Sequence, residues 1–527
     1  MTEVTKKNIN FDYIFNEVRP ITEYGIKTKL EAKPYTKGQE IELNDELNKI
    51  SAFFESRNKR DVIDVLKHIK NIYETIERAK NNQVLDEVEL YEIKNFLIQV
   101  ERMEKCLKVF SLPYEDLKVS PLPHLYKILD PADEKLNTFY IYDDYSKNLK
   151  IIRKEKYESE KSIRQLKKEI KDELQHKYNI KFNLKDEFSI NKSEKEKIEN
   201  LLIEKNLRVS GENYLNIIFI IKNNEILDEY EQKIENLISD EEAEEQIIRK
   251  KISGEIKECY DLLIKNIKAI GRIDYIIAKS NYAEKTMSTR PKITENLEIE
   301  IRDGRNLKLE KTLKDNHKEY VPIDITLNKN VVCITGANMG GKTVSLRMIG
   351  QIAACAGYGM FVPCSYAKIC LFEHIHISVG DDQSIEKGLS TFGAEIVNLK
   401  EAIENSSERC LILIDELAGG TNPKEGYAIT KAVVNYLKKR NCITVLTTHY
   451  DNVADDDEIQ NMQVAGLKLP EDFNSLCNIN DINQISKYMD YKLIEVKYES
   501  SIPKDALKIA KMSGIDAEII NDAENYL

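Results

Sequence analysis

Residues 336–343 read GANMGGKT, directly after an apolar run at 331–335 (VVCIT) and directly before a helical pattern, VSLRMIGQIAACAG. A strand, a glycine-rich loop and a helix in that order bring backbone N–H groups and a helix N-terminus around a phosphate. Gly336, Gly340 and Gly341 let the backbone wrap closely, and Ala337, Asn338, Met339 and Val344 complete the cradle. Lys342 would set a point charge on the β and γ phosphates, and Thr343 would offer a hydroxyl to Mg²⁺. The chemistry this pattern supports is the binding and hydrolysis of ATP.

Two further segments supply what hydrolysis needs. The apolar run 411–414 (LILI) ends in Asp415 and Glu416. A carboxylate at the end of a sheet strand beside a phosphate loop is placed for the second Mg²⁺ contact, which assigns Asp415 to the metal. Glu416 then orients and polarises the attacking water. The run 443–447 delivers Thr448 and His449 at its end, where an imidazole senses the γ phosphate or holds the water. Ser390 and Thr391 precede the helical run GAEIVNLKEAI, so they lie at a helix N-terminus suited to an anion. The chain holds no second phosphate loop, so the natural target of Ser390 is the ATP of a second subunit; the plainer reading is a helix cap.

The elements around these motifs fall into two textures. From 291 onward, strand-like runs (297–301, 323–327, 331–335, 410–414, 443–447) alternate with helical ones, the pattern of an α/β domain with a largely parallel sheet. Before it, the periodicity is helical. A helix and loop occupy 1–44, a helical core 45–142, and a charge-laced arm begins near 143. In that arm Ile163, Leu166, Ile170 and Leu174 form a narrow seam suited to a paired coiled coil. A returning arm spans about 225–273, and the Ile-rich run 214–222 between the arms reads as a strand in a small tip. The expected divisions are 1–44, 45–142, 143–250 for the clamp arms and tip, 251–290 for a returning lever helix, and 291–527. The fold class is therefore multidomain: an all-α core with lever and coiled-coil clamp helices, then an α/β P-loop ATPase domain. The acidic run 240–245 (DEEAEE) reads as a solvated helix face.

Composition narrows the setting. Charged residues make up 32% and the net charge is −12, which is not the balance of a general nucleic-acid binder. No apolar run approaches the ~20 residues of a membrane span, and the N-terminus lacks the apolar stretch of a signal peptide. Nine cysteines are scattered without metal-ligand spacing, so a reducing, cytoplasmic setting is expected. Cys364, Cys370, His374 and His376 read as buried strand rather than as a metal site.

These motifs resemble those of the MutS family of ABC-type ATPases. ITGANMGGKT resembles the family's P-loop, GDDQSIEKGLSTF its trans-acting signature, DELAGGTNPKEG its Walker B and dimer-contact loop, and TTHYDN its switch-histidine segment. Asp-Glu-Leu at 415–417, Thr421-Asn422-Pro423, and Gln-Ser-Ile at 383–385 are similar to the bacterial branch without mismatch-reading domains. Weaker likeness extends to Phe11-Asp12, to 290–305 and to 507–523. The resemblance implies a head-to-tail homodimer with two composite sites, Ser390 of each subunit reaching the other's ATP, and it suggests Tyr320 for adenine stacking. It also shows departures. Ala337 stands where the family has Pro, Asn306-Leu307 replaces a His-Pro pair, and 206–222 replaces a Gly- and Ser-rich clamp segment. With the sequence ending at Leu527, the branch's nuclease tail is expected to be absent. Phe53-Phe54-Glu55 is similar to the mismatch-wedging string but sits inside a helical run.

The leading functional expectation is an ATP-dependent clamp on mismatched or branched DNA. Its local support is residues 150–181, with 11 Lys and Arg against 6 Asp and Glu. The alternative is an ATP-driven remodelling or reactivating factor for a protein or ribosomal partner.

Overall fold

The computed structural model describes all residues except 111, 133–137, 337–340, 380–390, 405, 407, 420, 451, 468–487, 497–504, 513–514 and 526–527. The chain packs as two units, each discontinuous in sequence. One comprises Ile69–Glu104 and Val119–Asn266, the other Met1–His68, Lys105–Lys118 and Ile267–Leu527.

The first unit carries the arms. The outgoing helix, Lys147–Tyr178, starts where the Ser146 hydroxyl accepts the Asn148 and Leu149 N–H groups, and it stops at Asn179 in the left-handed conformation (φ 51°). Leu149, Ile152 and Leu174 are buried along its seam, with Ile163, Leu166 and Ile170 half-buried, as a two-helix pairing requires. The returning helix, Glu225–Glu258, buries Leu227, Leu237, Ile248, Ile252 and Ile256. It ends at Cys259, and a separate helix, Tyr260–Lys285, follows. The periodicity reads through this break because neither Gly nor Pro marks it.

The acidic run is a solvated face only in part: Asp240 and Glu242 are exposed, while Glu241, Glu244 and Glu245 are half-buried and bonded to the other arm. Arg153 bonds Glu241 at 2.8 Å and Glu245 at 2.9 Å, Lys156 bonds Glu241 at 2.6 Å, and Ser146 bonds Glu244 at 2.5 Å. Lys167 adds a pair with Glu231 at 3.0 Å. Arg153 and Lys156 of the basic stripe are therefore partners of Glu241 and Glu245 across the two arms. Between them lies a small α/β tip. Strands β1 (Glu187–Asn191), β2 (Leu207–Glu212) and β3 (Asn216–Ile221) form an antiparallel sheet of order β1-β3-β2. Phe188 and Phe219 stack at 5.4 Å in its core with Ile198 and Leu201 of the helix Lys195–Ile203.

The second unit holds two sheets. Strands β4 (Lys292–Thr294), β5 (Ile299–Gly304), β6 (Ile323–Leu327) and β8 (Tyr366–Cys370) form one of order β4-β8-β5-β6. The other contains β7 (Val331–Thr335), β9 (His374–Ser378), β10 (Cys410–Ile414), β11 (Cys442–Thr447), β12 (Ile459–Leu467) and β13 (Met489–Glu495), in the order β13-β12-β7-β11-β10-β9. All its neighbours pair in parallel except β12 with β13. Strands β7, β10 and β11 are buried throughout, as continuous apolar runs in a parallel sheet must be.

The helix Lys342–Gly357 leaves β7 through the glycine-rich loop and is gripped by residues far away in sequence. Gln351 Nε2 donates to the carbonyls of Ile9 and Asn10 at 3.3 and 3.2 Å, and Phe11 packs on Tyr358 at 4.9 Å. At its C-terminal end, Lys279 donates to the carbonyls of Tyr358 and Gly359 at 3.0 and 3.1 Å and to Glu46 at 2.8 Å. Arg272 bonds Glu46 as well. Burial alone would raise the Glu46 carboxyl, but Lys279 and Arg272 hold it down at about 2.

Phe53 is wholly buried against Phe110, and Phe54 packs on Phe361, so this string serves packing. Among the described residues, no group of His, Cys, Asp and Glu forms a metal-binding cluster, and His374 bonds Glu408. None of the described helices is long and apolar enough to cross a membrane.

Candidate functional site

At the end of β7 the backbone turns through Gly336 (φ 128°), where a Cβ would stand 3.1 Å from Val464 Cβ. Gly341 (φ 82°) caps the following helix, and a Cβ there would stand 3.2 Å from the Tyr491 ring of β13. Both positions need glycine for conformation and for space. Ala337, Asn338, Met339 and Gly340 lie outside the described residues. Val344 sits half-buried in the first turn of the helix.

Lys342, Thr343, Asp415, Glu416 and His449 converge beside Gly336. The Lys342 ammonium donates to the Gly336 carbonyl at 2.8 Å, lies 3.3 Å from His449 Nδ1 and stands 3.7 Å from Glu416 Oε1. Burial pushes its pKa down, against the pull of Glu416 and Asp415. Glu416 Oε1 and His449 Nε2 are 2.7 Å apart. An ammonium can only donate, so Nδ1 accepts from Lys342, and Nε2 carries the hydrogen that goes to Glu416.

Asp415 is held from three sides. Its N–H donates to the Ser378 carbonyl of β9 at 2.8 Å, Thr343 Oγ1 donates to Oδ2 at 2.6 Å, and Thr447 Oγ1 donates to Oδ1 at 2.6 Å. The same Thr447 hydroxyl accepts the Glu416 N–H at 3.0 Å. A hydroxyl and a carboxylate meeting beside a phosphate loop form the sparse oxygen set that Mg²⁺ takes together with nucleotide phosphates. Thr343 and Asp415 therefore fit that ion.

The turn after Glu416 is strained. Glu416 and Ala418 both adopt left-handed backbone, with φ of 52° and 59°. Such residues cost roughly 1–3 kcal/mol each and persist only where the surroundings hold them. Glu395 Oε2 accepts the Ala418 N–H at 3.2 Å, and Tyr450 Oη donates to the Ala418 carbonyl at 3.2 Å.

Ser390 lies outside the described residues; the helix that follows it begins at Thr391. Tyr320 is held at its hydroxyl. Its hydroxyl accepts the Asn306 N–H at 3.1 Å, and burial pushes the phenol up to about 12. No described contact joins Tyr320 to Lys342, Thr343 or Glu416. Asn306 itself caps the helix Leu307–Asp315 by accepting the Leu309 N–H, a use for the residue that departs from the His-Pro pattern.

The sequence reading assigns no role to Thr447, Glu395, Tyr450 and Tyr491. Thr447 and Tyr450 lie in the TTHYDN segment, and Thr447 carries the further signal of a polar residue closing an apolar strand.

Residues 332–527, which include every described member of this cluster, match the description MutS domain V. Over that stretch the chain is similar to MutS domain V. Its similarity extends past that domain to proteins named Endonuclease MutS2. The one from Caldanaerobacter subterraneus subsp. tengcongensis is 26% identical over the whole of this chain and 64% of its own length. The one from Staphylococcus carnosus is 27% identical over 86% of this chain and 56% of its own. That of Carboxydothermus hydrogenoformans is 34% identical over 52% of this chain and 32% of its own. The chain thus spans less than two thirds of the length of these relatives.

Proposed function

We propose that this chain hydrolyses ATP at a site built from Lys342, Thr343, Asp415, Glu416 and His449, and that hydrolysis drives a clamp. The observation that carries the reading is the continuous bonding from the phosphate-loop lysine through His449 to Glu416. Lys342 binds the β and γ phosphates, and Thr343 and Asp415 hold Mg²⁺. When bound, that ion would neutralise charge on the phosphate oxygens. Glu416 takes a hydrogen bond from the attacking water and aims its lone pair at the γ phosphorus. His449 keeps the Glu416 carboxylate in place. Tyr320 would stack on adenine.

The partner subunit enters through Ser390. In a head-to-tail homodimer, Ser390 of each subunit would reach the other's ATP. Mixing Ser390→Ala with Lys342→Ala subunits tests this: one composite site of the mixed dimer keeps both intact residues, so activity should reappear in the mixture. A mixture as inactive as either variant alone would sink the trans arrangement.

DNA, read by structure rather than by sequence, is the proposed cargo of the clamp. A second reading, a protein or ribosomal partner, draws support from the arms, where Arg153, Lys156 and Lys167 are already paired with Glu241, Glu245 and Glu231. Titration with duplex DNA, branched DNA and RNA at two salt concentrations separates them. Phosphate-led binding must weaken with salt along a clear log–log slope, whereas no binding at low salt would remove DNA.

A further inference from the structure

The turn that aims Glu416 is pinned by two side chains, those of Glu395 and Tyr450. Leu417 and Ala418 are buried at 4% and 0% exposure, and the turn closes on itself through Gly419 N–H to Glu416 O at 3.1 Å. Nothing in that turn supplies a side-chain acceptor for the Ala418 N–H. Glu395, from the helix Thr391–Glu404, does so. On the other side of the same peptide segment, the Ala418 carbonyl takes the Tyr450 hydroxyl. Room for that hydroxyl comes from Gly426, where a Cβ would lie 2.1 Å from Tyr450 Oη and 2.9 Å from Ala418 O.

Tyr450 directly follows His449. One dipeptide therefore delivers an imidazole to the Glu416 carboxylate and a hydroxyl to the backbone two residues beyond Glu416. Both groups act on the same turn, one at its side chain and one at its main chain.

We propose that Glu395 and Tyr450 are positioning residues for Glu416, fixing the Ala418 backbone so that the Glu416 carboxylate stays against His449. Neither needs to touch nucleotide. Their effect is on the orientation of the water-directing group, where small displacements cost rate more than affinity. The proposal rests on the ATPase reading and on Glu416 as the residue that orients water.

The test uses the full chain with Glu395→Ala, Glu395→Gln, Tyr450→Phe, Glu416→Gln and the double variant Glu416→Gln/Tyr450→Phe. Steady-state kcat and KM are measured for each, with binding of a fluorescent ATP analogue and hydrogen exchange of the peptide covering 411–426. Glu395→Ala and Tyr450→Phe should each lower kcat about ten-fold, leave analogue affinity within about two-fold, and speed exchange in that peptide. Glu395→Gln should recover most of the rate, because its amide oxygen accepts the same N–H. The double variant should be no slower than Glu416→Gln alone, because the pins act only through Glu416. Unchanged kcat in both single variants, a parallel loss of nucleotide affinity, or a further loss in the double variant would each overturn the proposal. Failure of the ATPase reading has a separate signature: no hydrolysis by the unaltered chain, or an undiminished rate in Glu416→Gln.

Discussion

Glu416 Oε1 and His449 Nε2 stand 2.7 Å apart, and the opposite ring nitrogen of His449 faces the Lys342 ammonium at 3.3 Å. One imidazole thus bridges the group that would hold the phosphates and the group that would direct the water. A change in Lys342 on binding phosphate would be felt by Glu416 through a single ring.

Glu416→Gln should keep ATP binding and reduce kcat by about two orders of magnitude or more, the scale on which a general base contributes. Size-exclusion chromatography with ATP should then show an ATP-bound dimer accumulating. A variant with the normal rate would remove Glu416 from the mechanism.

Thr447→Val deletes a hydroxyl that bonds Asp415 and the Glu416 backbone together. It should lower kcat roughly ten-fold, the loss expected for a hydrogen bond to a charged group, and raise the Mg²⁺ concentration needed for half-maximal rate. A Mg²⁺ titration of the variant reads both effects. An unshifted Mg²⁺ requirement would separate Thr447 from the metal site.

The buried Glu46 makes stability depend on pH. Its folded value of about 2 lies below the 4.5 of the free side chain. Its contribution is therefore fully present above about 4.5 and is lost as pH falls towards 2, a pH-linked amount of roughly 3 kcal/mol. In thermal melts from pH 7 down to 3, Glu46→Gln should have a lower Tm at neutral pH, and the gap should narrow as pH falls. A gap independent of pH would show that Glu46 is not the titrating group.

The phosphate-binding strand and the strand ending in Asp-Glu were legible in the sequence to the residue. A strand buried on both faces is a plain apolar run, and chemistry begins where the run stops. The side chains that hold the site were not legible. Glu395 and Tyr450 meet at Ala418 from 23 and 32 residues away, and no local pattern marks such a meeting. The arms show the same limit. Periodicity reported that residues 240–245 lie on a helix, but not that Arg153 and Lys156 of the other arm would face them.

Those arm pairs offer a direct test of the DNA reading. Glu241→Gln with Glu245→Gln would release Lys156 and remove the cross-arm pairs of Arg153, which keeps its bonds to Asp143 and the Ile141 carbonyl. If the arms hold DNA, binding at low salt should tighten several-fold, and the log–log salt slope should steepen by about one to two. Unchanged affinity and slope would place any DNA contact elsewhere.

The interleaved chain path sets an order of assembly during synthesis. Gln351 takes hold of Ile9 from 342 residues away, and Asp274 accepts the N–H groups of Ile21 and Thr22 across 253 and 252 residues. At ribosomal speeds of about 5–20 residues per second, the first helices wait roughly 20–70 s for the Gln351 contact. The arm-bearing unit has emerged in full by Asn266. The inserted unit can therefore fold before Lys342, Asp415 and His449 have been made, and the nucleotide site is completed after the arms.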